Sequence, residues 1–415
     1  MKTGNLLGFA LVATLVAAPH TAFAAGFANT AQSGTATGMA GVATGNPDEP
    51  NANFYNPSSM AFSQGIEINA GPTIIVPSVS YESIDGEITE NTEAAIFPPP
   101  NFSLAIPVAG GFTAGLGVTL PWGLAITWPQ DWVGRENFQA QSLRTINVNP
   151  NVAYKVPGLD LGVAAGVQVM RSELSQSRTI ILRDDREAQV ELGGVGYGVG
   201  GTFAAMYRPT DAITVGLNYR SGAKIDYHGH ARFSENVEGT PFEDRMVDQE
   251  IATSIDIPHT LNLGLGWQLT EALWLGVDVN YYTWSAYDSV EVEFSEQSPE
   301  GEPGESDPPL VVNADWNDAA AFRIGGQYEV IDDLQVRLGF AFDMTPVPDD
   351  TVGPSLPDND RYVFAAGVGY EVANFRTDLG YNFIYLNQRK IRNGNVDGNY
   401  QLGSHLVGLN VGYTF

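Results

Sequence analysis

Apolar and polar residues alternate along most of this chain with the two-residue period of half-buried β-strands, not the 3.6-residue period of helices. At the C-terminus His405, Val407, Leu409, Val411, Tyr413 and Phe415 share one face, while Leu406, Gly408, Asn410, Gly412 and Thr414 take the other. Leu261, Leu263, Leu265, Trp267 and Leu269 alternate in the same way with Asn262, Gly264, Gly266 and Gln268. Between Phe375 and Tyr385 the opposite face carries Arg376, Asp378, Gly380 and Asn382. Facing lipid at mid-depth, an Arg or Lys costs up to about 2–4 kcal/mol, so in a membrane-spanning sheet such charges point into a lumen. Alternation alone also suits a water-soluble sandwich, and strand number and loop lengths separate the two.

The pattern predicts strands near 65–82, 97–108, 111–122, 142–155, 159–175, 195–208 and 211–230, then 248–269, 272–294, 315–331, 333–344, 360–373, 375–392 and 400–415. That is about fourteen, an even number as in single-chain bacterial barrels. Val108–Gly111, Val156–Asp160, Pro209–Asp211, Thr270–Glu271, Ile331–Asp332 and Ala373–Asn374 are tight connections, and every connection between them is longer. Short turns on one side and long loops on the other are the asymmetry of an outer-membrane barrel. The fold class expected is all-β, a transmembrane antiparallel barrel.

Lys2, the apolar stretch Leu6–Ala18 and the small-x-small Ala22-Phe23-Ala24 form a signal-peptide pattern. Residues 1–24 are therefore expected to be removed, leaving Ala25 first. The apolar stretch is shorter than the roughly 20 residues of a spanning helix, and no later run reaches that length. Residues 65–415 are expected to form the barrel. Residues 25–64 show little period-2 pattern, but Phe27, Met39, Phe54, Tyr55, Met60 and Phe62 favour burial in the lumen over a solvated tail.

Charge and composition narrow the function. The formal net charge is −28, which argues against a nucleic-acid binder, and there is no basic patch to neutralise phosphates. Cysteine is absent, which removes disulfides, thiolate nucleophiles and Cys-ligated zinc. The acidic run from Glu291 to Asp315 lacks the spacing of a calcium loop and reads as a solvated loop. Neither a metal nor a cofactor is expected. His228 and His230 near Ser234 raise a lipid-hydrolase alternative, which lacks a nucleophile motif. A general porin for polar solutes is the other alternative, and it requires an unobstructed lumen.

Several stretches, in order, resemble one family. They are Ala25-Gly26-Phe27, Asn56-Pro57-Ser58, Pro121-Trp122-Gly123-Leu124, Tyr219-Arg220-Ser221 with Lys224-Ile225-Asp226, Tyr282-Thr283-Trp284-Ser285, and Trp316-Asn317-Asp318. Pro346-Val347-Pro348-Asp349 and Leu356-Pro357-Asp358-Asn359-Asp360-Arg361 complete the series. Over essentially the whole mature chain the sequence resembles the FadL-type outer-membrane transporters of long-chain fatty acids, a family that includes TodX-type carriers of aromatic hydrocarbons. The resemblance implies a fourteen-stranded barrel closed by an N-terminal hatch. A hydrophobic molecule would land on outer loops, enter a pocket, shift the hatch and leave sideways through a gap at a kink in the third strand. The expected partners are that molecule, outer-membrane lipid and the barrel-assembly machinery, and the barrel is expected to act as a monomer.

The resemblance also implies site residues. Phe54, Asn56 and Pro57 belong to the hatch, with Ser58 where alanine is usual. Pro121 and Gly123 mark the lateral exit, since Pro lacks an N–H and Gly leaves space; the other reading is that Pro121 ends strand three at the rim. Ile180, Ile181 and Leu182, with Phe233, Pro241, Phe242 and Met246, are candidate landing surfaces, or simply pack the loops together. Basic side chains hold the carboxylate in fatty-acid carriers. Arg171 or Arg178 matches one, but the second position is Asn317 here, which opens the site to neutral substrates. Arg337, Asp343, Arg376 and Asp378 face inward by period and are expected to brace the wall as pairs.

Overall fold

The alternating segments form a closed antiparallel barrel of fourteen strands. The computed structural model describes residues 26–181, 187–234, 247–295 and 309–415. The leader, Leu182, Pro241, Phe242, Met246 and part of the acidic 291–315 run therefore lie outside the described residues. The wall begins with β1 (Glu67–Glu82), β2 (Pro100–Pro107), β3 (Phe112–Thr127), β4 (Ala140–Lys155), β5 (Leu161–Ile181) and β6 (Glu187–Thr210). Two strands follow in two runs each, β7 (Ile213–Arg220, Ala223–Phe233) and β8 (Gln249–Ile257, Thr260–Gln268). β9 (Leu273–Tyr282), β10 (Ala319–Ile331), β11 (Leu334–Asp343), β12 (Arg361–Val372), β13 (Phe375–Leu386) and β14 (Gly398–Thr414) complete it. β14 closes on β1 from Glu67↔Thr414 to Glu82↔Asn399.

The apolar faces point outward as expected. Leu263 and Trp267 are 47% and 48% exposed, whereas Gly264 and Gly266 are buried. The tight turns need left-handed backbone, supplied by Gly110 and Gly111 at φ 76° and 83° before β3, and by Asp333 and Ala373 at φ 72° and 53° elsewhere. At the other end β5 and β6 run 21 and 24 residues, well past the roughly 9–11 that cross a membrane, and carry the outer loops. The expected strand 272–294 breaks after Tyr282: Trp284–Ala286 turns, and Ser289–Phe294 pairs with β8 and with Leu310–Asn313 above the wall. Strand three does not end at Pro121 but continues to Thr127.

Residues 26–62 fill the lumen. They fold into two single-turn helices, α1 (Gly34–Thr37) and α2 (Ala52–Tyr55), and a 3-10 turn (Pro57–Phe62). Segments this short have no stability of their own, so the wall must hold them. It does so around its circumference. Asn410 Oδ1 of β14 accepts from the Gly34 N–H (2.6 Å), and Asp278 of β9 accepts from Ala43 and Thr44 (3.0 and 2.8 Å). Asn218 of β7 donates to the carbonyls of Phe54 and Tyr55 (3.1 and 2.9 Å). Lumen-facing glycines admit the plug backbone: a Cβ at Gly380 would strike the Gly34 carbonyl, and one at Gly339 would strike Met39.

Charges around the plug are paired, Arg337, Arg376 and Asp378 with one another as expected and Asp343 with Arg323. Arg337 and Asp378 are fully buried and 2.8 Å apart, and Arg376 meets the same carboxylate at 2.8 Å. Arg323 binds Asp343 at 3.0 Å and donates to the Ala40 carbonyl at 2.8 Å. Removing one member of such a pair leaves a buried unpaired charge and costs about 3–5 kcal/mol.

Candidate functional site

The candidate site is set by a failure of strand pairing. β2 is short and is preceded by Phe97-Pro98-Pro99-Pro100. Proline has no N–H, so these residues cannot donate to a neighbouring strand. β2 pairs with β3 only from Phe102↔Val118 to Pro107↔Thr113, and above Val118 no ladder joins β3 to the β2 side. There β3 bulges. Thr119 pairs with Asn147 and Trp122 with Thr145, so Leu120 and Pro121 together oppose Ile146. The extra residue reverses the faces: Thr113 and Thr119 are buried inward before it, Trp122 and Ile126 after it. A gap is left between Pro98–Pro100 and Leu120–Ile126, closed above where the Glu93 N–H donates to Thr127 at 2.8 Å.

The start of the plug satisfies the backbone freed by the bulge. Asn29 N–H donates to the Pro121 carbonyl (2.8 Å) and Gly123 N–H to the Phe27 carbonyl (3.0 Å). The Asn29 and Gln32 side-chain amides donate to Leu120 (3.2 and 2.9 Å). Phe27 sits in an aromatic cage, its ring centre 4.6 Å from Trp284, 5.6 Å from Trp316, 5.7 Å from Tyr287 and 6.2 Å from Trp122. Arg361, held by Asp358 at 2.8 Å, donates to the Gly26 carbonyl.

Beside this junction lies a cavity of about 480 Å³, within the ordinary size range of small-molecule sites. Phe27, Val79, Ile126, Leu386, Leu402 and Leu406 line it inside the barrel. Ile146, Arg144, Arg171 and Glu173, which point outward from β4 and β5, line its other end. The cavity therefore reaches through the wall. Its lining is largely apolar, Arg361 is paired with Asp358, and Arg171 with Glu173 at 2.7 Å.

The chain matches the family described as outer membrane protein transport protein (OMPP1/FadL/TodX) over residues 14–415. It belongs to that family. Among curated relatives, the long-chain fatty acid transport protein of Escherichia coli O6:H1 is 23% identical over 399 residues, covering 87% of this chain and 87% of that protein. The solved FadL homologue of Pseudomonas aeruginosa covers 94% of this chain and 100% of its own, with 20% identity and a TM-score of 0.82. The P. putida toluene transporter TodX covers 94% and 99%, with 14% identity and a TM-score of 0.73, and these two structures speak to the fold. The chain is thus an outer-membrane barrel among transport proteins, not enzymes.

In this FadL/TodX-family barrel the residues singled out in the sequence fall in different places. Gly123 lines the cavity and Pro121 forms the bulge. Arg171 lines the cavity too, but at the outer mouth rather than inside the barrel. Arg178 has the inward parity of Met170 and Ser172, higher on β5 and outside the cavity lining. Asn317 also lies outside it; its N–H donates to Pro346 at 2.9 Å. Phe233 packs against the buried cluster of Ala231, Ile251 and Val292 and lies outside the cavity lining. Asn56 caps the 3-10 turn through Ser58 and donates to Thr44 at 2.9 Å, Pro57 opens that turn, and Phe54 lies against Arg220. Sequence reasoning gave no role to Pro98–Pro100 or Arg361, although the proline triplet was a visible sign of an unpairable edge.

Proposed function

We propose that this protein passes hydrophobic small molecules across the outer membrane by passive lateral diffusion, gated by the N-terminal hatch. The observation that carries this reading is the largely apolar cavity that reaches from the lumen to the outer face of the wall at the β3 bulge. A water-filled pore serves an apolar molecule poorly, whereas an apolar pocket removes it from water and holds it with a few polar groups. The E. coli relative is a fatty acid transport protein and the P. putida neighbour a toluene transporter, and a long acyl chain or a hydrocarbon suits the same lining.

In this scheme the mature chain begins at Ala25, so its first residues are those that bridge β3. A ligand in the cavity competes with Phe27 for apolar contact and loosens Gly26–Asn29 from the bulge. It then leaves between Pro98–Pro100 and Leu120–Ile126 into outer-membrane lipid. The gradient of the ligand drives the step, the barrel acts as a monomer, and the assembly machinery inserts it.

The test is paired. In a planar bilayer the barrel should be nearly silent, and in cells lacking other carriers it should raise uptake of a labelled long-chain acid or alkylbenzene. Large steady conductance with no gain in hydrophobic uptake would instead support a porin.

A further inference from the structure

Resting on that reading, we propose that Arg220 and Thr260 form a separate anion site for the carboxylate head of an amphipathic ligand, behind the first residues of the hatch. Arg220 ends the first run of β7, directly across from Thr260 on β8, and the two are only 6% and 5% exposed. The lumenal guanidiniums of Arg323, Arg337, Arg376 and Arg361 all face a carboxylate. Arg220 does not. Among the described residues its contacts are Asn149 Oδ1, to which Nη2 donates at 3.2 Å, and the Phe54 ring, 4.4 Å from the guanidinium.

Among the described residues, two buried polar atoms here have no hydrogen-bond partner, Arg220 Nε and Thr260 Oγ1. Both residues line a second cavity of about 40 Å³. That exceeds the roughly 10–15 Å³ one water needs, and is far too small for a whole lipophile. An unpaired buried guanidinium is costly, and a ligand carboxylate supplies the missing charge with the geometry a guanidinium prefers. Arg323 lines the same cavity but is already occupied by Asp343 and the Ala40 carbonyl.

Ala28 and Asn29 line both cavities. An acid with its chain in the large cavity reaches Arg220 only when these residues move aside. The small cavity is also walled by Thr44, Phe54 and Tyr55 of the plug. A carboxylate seated there displaces Phe54 from the guanidinium and so acts on the hatch at a second point, whereas a neutral hydrocarbon acts on it only through Phe27.

The test compares binding of oleate and oleyl alcohol to the purified full-length barrel in detergent, with folding checked by heat-modifiable migration. Wild type should prefer the acid. Arg220→Gln should weaken oleate binding by about tenfold or more, the range of a lost hydrogen bond to a charged group, and leave the alcohol unchanged. Arg220→Lys should retain part of the preference, and Thr260→Val, which preserves shape, should weaken oleate alone by about threefold or more. If Arg220→Gln does not fold, the Lys and Val variants decide. Both lipophiles binding with no acid preference, or with one that survives these substitutions, overturns the anion site and leaves the transport reading standing. Failure of wild type to bind either lipophile overturns both.

Discussion

At the scale of single residues, the plug is held by polar groups whose charge state matters. Glu49 is buried in the plug, with one carboxylate oxygen accepting from the Asn51 N–H at 3.1 Å. Burial pushes its carboxyl up to about 7 from an ordinary 4.5, against the opposing pull of hydrogen bonds and Arg376. With the folded-state value raised, the stabilisation belongs to the protonated form. It is complete below the ordinary carboxyl range and is lost as pH rises through about 7. Ion leak through the barrel should therefore increase as pH rises from about 4.5 to about 7 and level off above that, and Glu49→Gln should flatten the rise. A leak with the same pH dependence in both proteins would remove Glu49 as the cause.

At the scale of elements, Phe27 joins the plug to the bulge. Its truncation to Ala removes a fully caged ring, a loss of about 3–5 kcal/mol for a buried aromatic side chain. The amides of Asn29 and Gly123, which bridge the two elements, should then exchange hydrogen faster, while exchange in the β12–β13 ladder stays unchanged. Unchanged protection at Asn29 would show that the aromatic cage does not hold this junction. How much of this was legible in the sequence follows from range. Strand identity and face depend on local alternation, so the segments, including the charged face of β13, were readable residue by residue. The end of β3 was not, because a proline inside a strand marks either a terminus or a bulge, and only the pairing of Thr119 and Trp122 with β4 distinguishes them. Where the cavity's basic residues sit was hidden for a related reason: the outward parity of Arg171 is set by the register of β5, and Arg361, which lines the same cavity, comes from a motif with no evident alternation.

At the scale of the whole molecule, the barrel divides its lumen in two. One part is a polar and charged lattice that grips the plug, and the other is a largely apolar cavity beside the aromatic cluster of Phe27, which also holds Trp128 and Trp132 stacked 4.4 Å apart. Deleting residues 26–60 removes no wall strand. The truncated barrel should still assemble and migrate heat-modifiably, but should conduct ions steadily in a planar bilayer. Electrical silence after truncation would mean that something other than the plug closes the lumen.

The central claim is that ligand crosses the wall at the β3 bulge, and removal of one residue tests it most directly. Deleting Pro121 leaves a single residue opposite Ile146, restores regular pairing of β3 with β4 and closes the gap beside Pro98–Pro100. The measurement is uptake of a labelled hydrophobic substrate by cells carrying wild-type or Pro121-deleted protein at matched amounts of folded barrel. The account predicts that uptake falls to the background of cells lacking the protein while the bilayer conductance stays low. Uptake at the wild-type rate would contradict it and move the route to the barrel axis.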